Sequence, residues 1–559
     1  MPSLARYPSG VFIKRNHSCR GPKQYRSILL VEGVRVPVPR SPGRPPRDFR
    51  PKTKVVHRTL ANLSHLPEPL VALIERYCKA EREGQPVDGL VGEGEPIVGP
   101  AYGPLAALLV LARELGIEKA LGSSRIGRLA LFLVLARVAH QRSRLSAVRW
   151  AEAQAVSAVL GLRTFDEDDL YAALEWLHEN QERIEKELAP APAPNALFLY
   201  DVTSSYLEGQ KNELAASGYN RDGKRFKKQI VAGLLTDAVG EPVSIQLYEG
   251  NTADPDTVAD QVRKLVTQFG ANEAVLVGDR GMIKTKGKEL LSAHGFRYVT
   301  SMTDPQIRKA LSTGTLQMDL FDERITEVTG ENGTRLVLRR NPAMTDRTRT
   351  RRADQLRRVQ EKVEARNKEV AESKRADPAV SLRQAEKWLT NYKLTRFVSA
   401  ELTDRIVHLI EDPAERAEVE KLDGCYVVVT NVPGHVASAE QIWGRYGGLQ
   451  QVERDIRRMK TTLLEFRPIF LRKATRTRGH ALATMLALKV ARALERRVAP
   501  LGLTCEDALD RLGAVHLTSL ADPKLGLWRL QRQWFGPEAA VLAVLPPLPA
   551  PIALSLNRA

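Results

Sequence analysis

Two apolar runs in this chain each stop on a carboxylate, and this limits the possible folds more than any other feature. Leu197-Phe-Leu-Tyr-Asp201 continues into Val-Thr-Ser-Ser-Tyr206, and Ala274-Val-Leu-Val-Gly-Asp279 continues into Arg280 and Gly281. Both runs have the length and residue types of buried strands. An ionised carboxylate at the end of a buried strand is costly to desolvate unless a cation or hydrogen bonds compensate. Two such sites suggest a shared divalent metal held by Asp201 and Asp279.

The surroundings of these runs indicate the fold. After the Pro-rich linker Ala189–Asn195, strand-like segments fall at 196–202, 228–236 and 242–248, and the turn Gly240-Glu-Pro242 makes the last two a hairpin. A helix at about 255–269, the strand ending at Asp279, a helix near 286–294 and a strand at 297–301 follow. Three antiparallel strands and then alternating helices and strands is the order of a ribonuclease-H-like core. The predicted class is therefore α/β, a mixed five-stranded sheet with helices, carrying a large insertion and preceded by a helical domain.

The predicted domains are a basic arm (1–67), a helical DNA-binding or dimerisation domain (68–190), the first part of the core (196–304), an insertion (305–424), the second part of the core (425–498) and a tail (499–559). Residues 1–60 hold 14 Lys or Arg against Glu32 and Asp48, with a Pro-rich run from Pro37 to Pro51. Such a segment is either an arm that neutralises phosphates or a solvated tail. Residues 350–400 mix both signs, as expected of a solvated helical hairpin or, alternatively, a DNA groove.

Charge indicates the partner. Lys and Arg total 84 against 66 acids in 559 residues, a net charge of +18, which favours a polyanion such as nucleic acid. Cys19, Cys78, Cys425 and Cys505 are too scattered for a disulfide framework or a zinc site, which fits a reducing cytoplasm. The first residues lack the apolar core of a signal peptide, and runs such as Leu129–Ala136 are too short to span a bilayer. The expectation is a cytoplasmic, nucleoid-associated protein with no membrane partner.

A third acid lies far downstream. Tyr446, Glu453 and Lys460 are seven residues apart, about two helical turns, so an unbroken helix would place them on one face, with Arg457 beside Glu453. Gly447 and Gly448 weaken this at the Tyr446 end. One carboxylate amid cations suits a metal beside a phosphate, although Glu453 with Arg457 is also an ordinary helix ion pair.

The segments Tyr200-Asp-Val-Thr-Ser204, Gly218-Tyr-Asn-Arg-Asp-Gly-Lys-Arg225, Gln229–Leu235, Glu249-Gly-Asn-Thr-Ala-Asp254 and Gly278-Asp-Arg-Gly-Met282, with Tyr446–Lys460, Arg467-Pro468 and His480, occur in an order that resembles the DDE transposases of the insertion-sequence-four superfamily. The resemblance implies that Asp201, Asp279 and Glu453 form the catalytic metal-binding triad. It also implies that Tyr446 and Lys460 contact the DNA end, and that 301–424 is an insertion. Leu449 stands where much of the superfamily has Arg, a role open to Arg445, Arg454 or Arg457.

The implied cofactor is a pair of Mg²⁺ ions about 4 Å apart, for which Mn²⁺ can substitute, because hard cations take oxygen ligands. Asp201 would bridge both ions, with Asp279 and Glu453 holding one each. The implied partners are double-stranded DNA with terminal inverted repeats and a target DNA, engaged by a homodimer. Water would free a 3′-hydroxyl, which then attacks the target, so Ser204, Ser205 and Tyr206 read as structural. Lys224 and Arg225, with Lys227 and Lys228, are either DNA-backbone contacts or a solvated rim. Trp443 is either a base-stacking residue or a packed one, and His480 reads as a core histidine. The alternatives to a transposase are a ribonuclease-H-like nuclease without strand transfer and a catalytically inactive DNA-binding protein.

Overall fold

The computed structural model of the chain describes residues 10–20, 23–37, 53–83, 97–189, 191, 193–208, 211–218, 226–330, 333–373, 375–462, 470–519, 529–530 and 536–552. In chain order the elements begin β1 (Val11–Arg20), β2 (Lys23–Pro37), β3 (Thr53–Asn62), α1 (Glu68–Glu83) and β4 (Ile97–Ala101). Seven helices follow: α2 (Gly103–Glu114), α3 (Ile117–Leu121), α4 (Arg125–Ala139), α5 (Arg144–Glu152), α6 (Val156–Leu160), α7 (Glu167–Glu179) and α8 (Gln181–Leu188). Next come β5 (Ala196–Tyr206), β6 (Gln229–Thr236), β7 (Pro242–Glu249), α9 (Asp254–Thr267), β8 (Ala274–Gly278), α10 (Thr285–Ala293), β9 (Arg297–Ser301) and α11 (Asp304–Ser312). The region up to 424 adds β10 (Thr326–Thr329), β11 (Arg335–Arg340), α12 (Pro342–Glu372), α13 (Pro378–Asn391), β12 (Val398–Thr403), β13 (Ile406–Glu411) and α14 (Pro413–Glu420). The rest is β14 (Cys425–Thr430), α15 (Ala439–Gly447), α16 (Leu449–Arg457), α17 (Ala474–Val498), α18 (Cys505–Leu512), β15 (His516–Ser519), β16 (Arg529–Leu530) and α19 (Pro537–Val544).

The chain divides into two units. One comprises residues 1–107, 151–163 and 507–559 and contains two small sheets, β1-β2-β3 and β16-β15-β4. The sequence reads the first segment as a basic arm or a solvated tail. Instead β1 and β2 pair antiparallel from Val11↔Glu32 to Arg20↔Lys23, and β2 pairs with β3. Val11-Phe-Ile and Ile28-Leu-Leu-Val supply the strand-forming residues, and the density of Lys and Arg hid them in the sequence. The Pro-rich stretch after Pro37 lies outside the described residues.

The other unit, residues 108–150 and 164–506, is built on an eight-stranded sheet of order β10-β11-β14-β9-β8-β5-β6-β7, not five strands. Its β5–β8 and β8–β9 pairs are parallel and the other neighbours antiparallel. The extra strands come largely from the region read as an insertion, because β10 and β11 add onto β14. Within that region α12, α13, β12 and β13 enclose a core of their own, around Val359, Ala385, Leu389 and Phe397.

Alternation along each strand divides the main sheet into two faces. Phe198, Tyr200 and Val202 of β5, Leu276 of β8 and Tyr298 of β9 pack on one side with Val258, Val262 and Leu265 of α9 and Leu291 of α10. Leu199, Asp201 and Thr203 therefore belong to the opposite side. There α15 lies against β8, β9, β11 and β14, α16 against β5 and β6, and α17 against β7.

The helices α4 and α7 pack on α17 rather than forming an independent N-terminal domain. Their approach is close: a Cβ added at Gly479 would lie 1.8 Å from the Leu174 carbonyl oxygen. Gly479→Ala must therefore displace backbone, and it should lower stability by about 1–3 kcal/mol. A shift of the denaturant midpoint at unchanged slope would show this, and an unchanged midpoint would contradict the close packing.

Candidate active site

The parallel pairing of β5 with β8 ends at Tyr200↔Gly278, so Asp201 and Asp279 are the next residues on adjacent strands. Asp201 does not end its own strand. β5 runs on to Tyr206 paired with β6, where Asp201 faces Leu234. What ends is β8, because the chain turns at Asp279, whose carbonyl accepts from Met282 N at 3.0 Å. One carboxylate oxygen of Asp201 accepts from Val202 N at 2.8 Å, and one of Asp279 from Arg280 N at 2.7 Å.

Helix α15 brings Tyr446 to this pair. Its start is set by a capping box in which Ser438 Oγ accepts from Gln441 N and the Gln441 side chain accepts from Ser438 N. The Tyr446 hydroxyl lies 2.8 Å from Ser301 Oγ on β9 and donates to Asp279 Oδ1 at 3.4 Å. Burial above all, and then the Asp279 charge, push the Tyr446 phenol up to about 12, against the pull of Ser301. It stays a neutral donor at physiological pH.

Gly448 lets the following helix sit low on the sheet, since a Cβ there would lie 2.7 Å from Leu199 Cδ2. In α16, Leu449, Val452 and Ile456 are buried, while Glu453 and Arg457 are exposed. The helix is fixed from beneath by a residue that the motif spacing did not flag. Asp455, fully buried, accepts from Arg492 Nη1 at 3.0 Å and Gln451 Nε2 at 3.1 Å. Burial raises its carboxyl above the ordinary range, and Arg492 opposes that. One turn on, Arg458 makes a two-pronged pair with Glu495 at 2.7 and 2.6 Å. The available signal was an acid at an apolar position, since Val452, Asp455, Ile456 and Met459 follow helical spacing.

Residues Arg458–Thr462 widen into a π-helical turn, so the helix is not a single α-helix from Tyr446 to Lys460. The three residues consequently occupy different settings. Tyr446 is half-buried over β8 and β9, Glu453 is exposed, and Lys460 is 7% exposed, against Thr203, Leu234 and Ile456. Trp443 packs over Tyr426 of β14, ring centroids 6.5 Å apart, with the Arg339 guanidinium 5.7 Å from its ring. His480, Ser204 and Ser205 are buried. Lys227 pairs with Glu208 at 2.6 Å, and Lys224 and Arg225 lie outside the described residues.

Two neighbouring aspartates are a donor set suited to a hard divalent cation. Among the described residues no group of three or more Asp, Glu, His or Cys side chains is already gathered to hold a metal. No helix among those residues is long and apolar enough to cross a membrane.

Residues 193–489 match the family described as Transposase DDE domain. No curated protein matches the chain. Among solved structures, the chain is similar to piggyBac transposase in its synaptic complex with hairpin DNA. That likeness has 9% identity and a TM-score of 0.35, and covers 73% of this chain and 76% of that one.

The raised phenol of Tyr446 predicts an alkaline effect. The stability contributed by the neutral hydroxyl is complete below the unfolded value of about 10 and is lost as pH rises through the folded value. Unfolding series across this range should show a steeper alkaline loss for the wild type than for Tyr446→Phe; superimposable curves would contradict the assignment.

Proposed function

Because the chain belongs to the transposase DDE-domain family, we propose that it cuts the ends of an insertion sequence and joins the freed 3′-hydroxyl to target DNA. We place it in the insertion-sequence-four superfamily, with a ribonuclease-H-like catalytic core. The observation that carries this reading is the strand register, which leaves Asp201 and Asp279 side by side where β8 ends. Their side of the sheet is the one covered by α15 and α16, the helices bearing Tyr446 and Glu453.

In this reading Asp201, Asp279 and Glu453 would hold divalent metal, Mg²⁺ or Mn²⁺. Bound there, the metal would stabilise charge on the attacking and leaving oxygens of the phosphodiester. Tyr446 orients Asp279 by donating to one of its oxygens, leaving the other free for a ligand. Asp455 and Arg458 are positioning residues that hold α16 to α17. Lys460, 7% exposed within the π-turn, and Arg457 and Arg454, exposed on α16, are proposed contacts to the DNA end. Lys224, Arg225 and Trp443 remain proposed contacts to the same DNA. A homodimer would pair the two ends, in the cytoplasm at the nucleoid.

The substitutions Asp279→Asn and Glu453→Gln should each reduce Mg²⁺-dependent cleavage of the flanking inverted repeats by roughly 10³-fold or more while preserving DNA binding. Full activity in Glu453→Gln would remove it from the triad. Cleavage without joined product in the wild type would make the enzyme a nuclease.

A further inference from the structure

A pocket of about 680 Å³ lies at the end of β9 and is walled by Arg280, Lys284, Lys288 and Lys309, with Tyr298 and Thr300 at its base. The size is that of a small-molecule site, typically about 300–1,000 Å³. Tyr298 lies on the α9–α10 side of the sheet, and Thr300, two residues on, shares that side by alternation. The pocket thus opens on the α9–α10 side of the sheet, and Ser301, which bonds Tyr446, also lines it.

Two independent features mark it as a binding site. None of Lys284, Lys288 and Lys309 pairs with a carboxylate among the described residues, although Lys288 is half-buried, its ammonium 5.1 Å from the centroid of the Tyr298 ring. Burial lowers the Lys288 ammonium below its ordinary value with no acid to restore it. An uncompensated cation in such a place calls for an anion. The Thr300 side chain, 2% exposed, has a hydroxyl with no hydrogen-bond partner among the described residues, an uncommon state for a buried polar group.

We propose that this pocket holds a phosphate-bearing nucleotide of a DNA strand, with the phosphate among Lys284, Lys288 and Lys309 and the Thr300 hydroxyl donating to it. The inference rests on the transposase reading for the source of the phosphate. A strand is favoured over a free nucleotide because Arg280, at the pocket wall, directly follows Asp279. A strand cut at the carboxylates would therefore continue past this mouth.

The test uses the full-length protein and a fluorescein-labelled duplex of the DNA flanking its gene, with binding measured over a salt series. Lys288→Met should bind about tenfold more weakly, and the slope of log affinity against log salt should become less steep by about one. Lys288→Arg should restore the slope. Thr300→Val should weaken binding with the slope unchanged, because it removes a neutral donor. Wild-type affinity and slope in Lys288→Met, in a protein that still cleaves, would overturn the pocket and leave the transposase reading intact. Displacement of the duplex by orthophosphate or a free mononucleotide as effectively as by the dinucleotide pTpT would overturn the strand as source. Failure of the wild type to bind duplex would overturn both readings.

Discussion

The register between β5 and β8 is the constraint on which the rest of the site depends. Side chains alternate along a strand, so a slip of one residue would exchange Asp201 with Tyr200 and bury a carboxylate in the main core. Packing holds the register from the other side. The Tyr200 ring lies over Gly233 of β6 so closely that a Cβ there would be 2.1 Å from the phenol oxygen. On β8, a Cβ at Gly278 would lie 3.0 Å from Ile283 Cδ1 as the chain doubles back. Two glycines thus fix two aspartates: one admits the aromatic ring that locks β5, and the other permits the tight turn that ends β8.

Helix α16 is held by charge rather than by apolar contact alone. Arg492 bonds Asp455, the Gly240 carbonyl and Glu241, and thereby joins α16, α17 and the β6–β7 turn through one guanidinium. A buried ion pair of this kind contributes little net stability, because desolvation offsets most of the attraction. Its directional hydrogen bonds do restrict how the helix can rotate. For a helix whose exposed glutamate is proposed to serve the same metal as the two aspartates, rotation matters more than stability, since each residue turns the helix by about 100°.

Much of this was legible in the sequence. Apolar strand runs ending in acids gave the central strands, whereas the common face of Asp201 and Asp279 depends on the β5–β8 register, which pairs Tyr200 with Gly278. The number of strands was not legible, because Thr326–Thr329 and Arg335–Arg340 are short and polar at their ends and gain meaning only by pairing with β14. The three-stranded sheet near the start was hidden by its charge. The seven-residue spacing from Tyr446 to Lys460 assumed uniform helical rotation, which the π-turn at Arg458–Thr462 breaks. Asp455 was overlooked because an acid between Arg454 and Ile456 reads as solvated until Arg492, thirty-seven residues on, is placed beside it.

The end of β8 also separates opposite charges that are neighbours in sequence. Asp279 and Arg280 are adjacent, yet Arg280 reaches toward Asp304, 3.7 Å away, while Asp279 takes a hydroxyl from Tyr446. Had the arginine or a nearby lysine closed onto Asp279, the carboxylate would be neutralised and lost to a metal. Dividing the acids and the lysines between two sides of one strand end avoids this. A phosphodiester chain needs both kinds of group, cations along its backbone and, by way of metal, carboxylates at the bond that breaks. The turn from Asp279 to Lys284 is where the fold can offer both without letting them cancel.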